Sequence, residues 1–68
     1  MYSVKVENIN TGKIYYSRPM KWRRICWEVR KVIISLTSNG LEEGIDFDAE
    51  IIDAEEIPAD YNPNEDWN

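Results

Sequence analysis

The sequence predicts a small α+β fold of order β-β-α-β, a three-stranded antiparallel sheet (strand order 2-1-3) with one helix packed on one face. Three observations predict it. Tyr2, Val4 and Val6 alternate with Ser3, Lys5 and Glu7, the period-two pattern of a half-buried strand. From Trp22 to Leu36, apolar residues recur at i, i+3, i+4 and i+7, the spacing of an amphipathic helix. Alternation then returns in Ile45, Phe47, Ala49 and Ile51 against Asp46, Asp48 and Glu50. A chain of 68 residues allows one domain, taken as 1–57, at the lower edge of what folds without staples.

After the first strand, Asn10-Thr11-Gly12 supplies turn chemistry, with Gly12 free to take positive φ. Ile14 to Ser17 completes a hairpin, placing Tyr15 and Tyr16 on opposite faces. Ser17-Arg18-Pro19 is read as the helix opening, because proline's missing N–H costs nothing at the first helical position. The helix is expected from Pro19 to Ser38, closed by Asn39-Gly40. Its core face is Trp22, Ile25, Cys26, Val29, Val32, Ile33 and Leu36. Ile52 breaks the alternation of the third strand, so a bulge or the strand's end is expected there. A connection through the helix returns that strand beside the first; pairing with the edge of another molecule is the alternative. Residues 58–68, PADYNPNEDWN, carry two prolines and no periodicity and are expected to form a mobile acidic tail.

Composition narrows the function classes. Cys26 is the one cysteine, so no internal disulfide forms, and with no histidine neither a metal nor a cofactor is expected. MYSVKVENIN has no basic region followed by an apolar run, and no apolar run approaches the roughly 18 residues of a membrane span. A cytoplasmic setting, the host cytoplasm for a phage-encoded chain, with no membrane partner, is the expectation. The net charge of −5 is unevenly laid out. All eight basic residues precede position 32 and face two acids there, a local +6, while the eleven acids from Glu42 to Asp66 give −11. Such asymmetry marks a binding surface or a charged tail.

The helix sequence KWRRICWEVRKVII carries a second apolar stripe. Met20, Trp27 and Ile34, seven residues apart, fall opposite the core face, flanked by Arg23, Arg24, Arg30 and Lys31. An aromatic in a basic strip marks an interface, and tryptophan and arginine dominate binding hot spots. Three readings compete: a clasp in which Tyr61 or Trp67 covers Trp27, a homodimer seam, and a docking surface for a different protein. Arginines around an aromatic also suit phosphate contact and base stacking, but the overall acidity opposes direct nucleic-acid binding.

The acidic strand is the second candidate surface. Asp46, Asp48 and Glu50 are expected on one face about 6.8 Å apart, with Asp53, Glu55, Glu56 and Asp60 extending the series. That interval resembles the phosphates of a nucleic-acid backbone, so mimicry is one reading and a solvated edge strand the other. The Asp-x-Asp-x-Glu pattern lacks the glycine and wrap of a calcium loop.

No enzyme is expected. No histidine is available for acid–base work, and Cys26 falls on the core face without an activating partner. Gly12, Gly40 and Gly44 are isolated turn residues rather than a phosphate-binding loop. In size, acidity and lack of catalytic equipment the chain resembles the very small acidic proteins that bacteriophages make to block host machinery. That resemblance implies stoichiometric binding of a host or defence protein such as a nuclease, a CRISPR effector or a polymerase. A homodimeric structural or regulatory module is the main alternative, and a nucleic-acid module using the basic helix follows it.

Overall fold

Alternation over Tyr2–Asn8 builds β1, the central strand of the computed structural model, which describes residues 1–62. β2 (Ile14–Tyr16) and β3 (Phe47–Asp53) pair with it on either side, both antiparallel, in the expected order β2-β1-β3. The helix α1 (Trp22–Ser38) lies over β1 and β3, and a short 3₁₀ turn follows at Ala54–Glu56. Val4, Val6, Ile25 and Phe47 form the fully enclosed core; Met20, Cys26, Val29, Val32, Ile33, Leu36, Leu41, Ala49 and Ile51 pack around it. Directly paired residues share a face. Val4 and Val6 therefore face α1 together with Ile51, Ala49 and Tyr15, while Ser3, Lys5 and Glu7 face away with Ile52, Glu50, Asp48 and Tyr16.

Asn8 organises the hairpin. Its side-chain oxygen accepts the N–H groups of Asn10 and Thr11 at 3.0 and 3.2 Å, and its carbonyl accepts Gly12 N–H at 2.7 Å. Gly12 reaches φ +76°, where a Cβ would be strained.

The chain leaves β2 differently from expectation. Ser17 N–H bonds the Val4 carbonyl at 2.9 Å, then Met20 and Tyr2 exchange two backbone bonds of 2.8 Å each. Two steps along β1 thus face three along its neighbour, an edge bulge that holds Pro19 where no donor is needed. Side chains complete it: Ser17 Oγ accepts Val4 N–H at 2.9 Å, and the buried Ser3 Oγ donates to the Ser17 carbonyl at 2.6 Å. Met20 is consequently an extended residue packed against the core. The helix starts at Trp22 behind an extended Lys21, not at Pro19. Its C-terminus is as expected. Gly40 at φ +89° donates to the Thr37 carbonyl and Leu41 donates to that of Leu36, the paired bonds of a glycine-terminated helix.

Three further expectations are corrected. Trp22 is 56% exposed at the helix end, meeting the Tyr2 ring edge-on with centroids 5.0 Å apart. Ile45 precedes β3 in a turn and is 62% exposed. Ile52 is neither a bulge nor an end, since the ladder runs unbroken through Ser3↔Ile52 to Tyr2↔Asp53. At the start of the segment expected to be a tail, the Tyr61 ring packs edge-on against Tyr16 and its hydroxyl accepts Tyr16 N–H at 3.1 Å. Residues 63–68 of that tail lie outside the described residues.

Candidate functional site

The helical repeat that turns Ile25 into the core turns Trp27 and Ile34 away from it. They are 70% and 64% exposed. Arg23, Arg24, Arg30 and Lys31 surround them, all exposed and without a carboxylate in ion-pair distance among the described residues. Met20 does not join this strip, because the bulge places it in the extended segment before the helix. Tyr61 does not cover Trp27 either: it is committed to Tyr16 on the opposite side of the sheet. Trp67, the other clasp residue considered, lies outside the described residues.

The charge on this helix runs against its dipole. No acid occupies the first turn, and Lys21 offers no side-chain cap. Arg23 and Arg24 sit where the exposed N–H groups already give partial positive charge, an arrangement unfavourable to the isolated helix. Arg18 and Lys21, both exposed, add to the same end. Positive charge is concentrated there, with no carboxylate in ion-pair distance of these four side chains among the described residues.

Two concavities flank the helix. One runs beside Trp27 and Ile34, lined also by Arg24, Glu28, Arg30 and Lys31. The other, of about 320 Å³, lies between α1 and β2, where Val6 and Tyr15 meet Val32 and Leu36. It exists because α1 is seated over β1 and β3, so that β2 projects past its cover. Glu28, Lys31 and Ser35 line both. Sequence reasoning placed Tyr15 on a face opposite Tyr16, but the seat of the helix that makes Tyr15 a groove wall has no local signal.

The acidic strand does not form the expected row. Asp46 lies before β3 and is engaged by the turn: its carboxylate accepts Glu42 N–H at 2.9 Å and the Asn10 side-chain amide at 3.2 Å. Those bonds, the Glu42 N–H first, hold its pKa below the usual aspartate value. Asp53 belongs to the face that Tyr2 and Ile51 occupy, and its carboxylate caps the 3₁₀ turn through Glu55 N–H at 3.0 Å. Glu50 lies 3.8 Å from Lys5 across the sheet. Asp48 is left directly opposite Glu7, a like-charge pair that weakens the ladder slightly. Among the described residues no three acids, histidines or cysteines converge as metal ligands, and no helix is long and apolar enough to cross a membrane. Cys26 is half-buried against the core.

Comparison with known protein families, with curated proteins and with solved structures returned no match.

Proposed function

We propose that this chain is a non-enzymatic binding protein that acts stoichiometrically on another protein through the outer face of α1. The observation that carries the reading is Trp27, 70% exposed beside Ile34 in a field of cations without carboxylate partners among the described residues. An exposed indole flanked by arginines loses unfavourable hydration when a partner covers it. The partner that fits presents an apolar patch edged with acids, and its binding weakens as salt rises. In the phage-inhibitor form of this proposal the partner is a host or defence protein, such as a nuclease, CRISPR effector or polymerase, blocked by occupation.

Nucleic-acid mimicry by the acidic strand is the weaker form, because Asp46 and Asp53 are tied into turns and Glu50 is beside Lys5. A homodimer joined face to face through Trp27 and Ile34 would bring Arg24, Arg30 and Lys31 against their own copies. Charge therefore favours a different, acidic partner.

Capture from bacterial lysate tests this, using wild type, Trp27→Glu, and an Asp48→Asn/Glu50→Gln double variant at low and high salt. The expected result is one protein retained by wild type and by the double variant, lost with Trp27→Glu and reduced by salt. Retention by Trp27→Glu with loss in the double variant would favour mimicry. Recovery that nuclease treatment abolishes would favour nucleic acid.

A further inference from the structure

The groove between α1 and β2 deepens that reading and rests on it. We infer that the partner element is an acidic amphipathic helix, laid along α1 so that one large apolar side chain enters the groove walled by Tyr15, Val32 and Leu36.

Volume and chemistry define the guest. About 320 Å³ is roughly twice the size of an engineered cavity that holds benzene. The walls are one aromatic and three aliphatic side chains, Val6 among them, so the guest is an aromatic ring or a branched aliphatic chain. Lys31 lines the groove from the helix side and also the concavity beside Trp27.

Geometry selects the guest's backbone. Glu28, Lys31 and Ser35 lie at i, i+3 and i+7 on α1 and form a low ridge between the two concavities. A helix astride that ridge places successive apolar residues of its own i, i+3, i+4, i+7 face alternately against Tyr15 and against Trp27. Addition of a partner strand to β2 is disfavoured by the structure. β2 is three residues long, and the Tyr16 N–H at its outer edge is already taken by the Tyr61 hydroxyl. Charge selects the guest's flanks: Arg24, Arg30 and Lys31 border the ridge, with Glu28 the one acid beside them among the described residues lining it, so glutamates suit the edges of the incoming helix.

The probe is a helical peptide of about 16 residues, long enough to hold helix in water, with leucines and one tryptophan on one face and glutamates elsewhere. Its control is a scrambled isomer of the same composition. Fluorescence anisotropy of the labelled peptide is measured against wild type, Tyr15→Ala, Trp27→Ala and Ser35→Trp. Ser35 is exposed, so an indole there obstructs the ridge without entering the core. We expect the patterned peptide to bind and the scramble to bind about tenfold more weakly, with each variant losing about tenfold in affinity. Loss with Trp27→Ala but not with Tyr15→Ala or Ser35→Trp would overturn the groove and leave the docking face standing. Loss with Tyr15→Ala but not Trp27→Ala would overturn the proposed face and keep the groove. Equal binding of the scramble, or none of either peptide, would overturn the helical partner. Tighter binding of a DNA duplex than of the peptide would do the same.

Discussion

Removing one oxygen, in Ser17→Ala, tests the bulge that sets the start of α1. Val4 is fully enclosed, and its N–H finds its acceptor in Ser17 Oγ at 2.9 Å. The nearest substitute, the Ser17 carbonyl, already accepts from Ser3 Oγ at 2.6 Å. The alanine variant therefore buries an unsatisfied donor, which costs about 1–3 kcal/mol. A chain of this length has roughly 3–10 kcal/mol of stability in all, so the loss is a large share. At about 4–8 °C per kcal/mol for so small a domain, the melting temperature should fall by roughly 5–20 °C. Circular dichroism melts at neutral pH measure it. Ser3→Ala is the control. It removes a donor and leaves only an under-used carbonyl, so its drop should be the smaller of the two. A Ser17→Ala melt within about 2 °C of wild type, or a larger loss from Ser3→Ala, refutes the assignment of Ser17 Oγ as the acceptor that closes the bulge.

Trp27→Ala should leave stability within about 0.5 kcal/mol, since the indole is mostly in water, while removing partner capture; a large drop in melting temperature would mean the fold uses it. Asp46→Asn tests the clamp on the Glu42–Asp46 turn. The lowered pKa means that the ionised carboxylate stabilises the fold at pH above the ordinary aspartate value, about 3.9, and that this is lost as pH falls through the lower folded-state value. The melting-temperature gap between wild type and Asp46→Asn should therefore narrow on acidification, and a gap constant from neutral pH to strong acid would refute the clamp. Tyr61→Phe deletes the acceptor for Tyr16 N–H but keeps the ring pair. Hydrogen exchange at Tyr16 should speed up with a stability loss of about 0.5–1.5 kcal/mol, and unchanged exchange would mean the segment ending at Tyr61 is not docked.

The topology was legible because its signals are local. Alternation in Tyr2–Asn8 and Phe47–Asp53, helical periodicity from Trp22 to Leu36, and Asn39-Gly40 each act within a few residues. What escaped depends on partners distant in sequence. Pro19 suits the first turn of a helix and equally suits an edge bulge. Only the return of Met20 to Tyr2 decides between them, and that pairing leaves no mark near Pro19. Ile45 and Asp46 extend the alternation of β3 on paper. The positive φ of Gly44 (+85°) and the grip of Asp46 on Glu42 and Asn10 hold both in a turn, so the strand starts two residues later, at Phe47. The single row of carboxylates was therefore over-read, as carboxylates that act within turns look in sequence like carboxylates on a strand. On the outer face of α1, Trp27, Ile34 and the four cations lie as their helical phase dictates. Met20 was lost to the bulge.

The two faces of the helix differ in what they give the fold. Val4, Val6, Ile25 and Phe47 hold the domain together, and neither Trp27 nor Ile34 is among the residues packed on them. The core consequently gains nothing from an indole at position 27, and an exposed aromatic lowers solubility. Nor does it gain from Arg23 and Arg24 at the positive end of α1, each of which costs a few tenths of a kcal/mol, up to about 1. Two local disadvantages that share one surface, one apolar and one electrostatic, would both be relieved by the guest proposed above. A greasy segment covers the indole while its acids neutralise the arginines. A basic or purely polar partner would relieve at most one of them, and a second copy of the chain would aggravate the charge while hiding the indole. The chemistry of the proposed partner is thereby narrower than exposure alone implies, and salt should weaken its binding without abolishing it, because the apolar share is not screened.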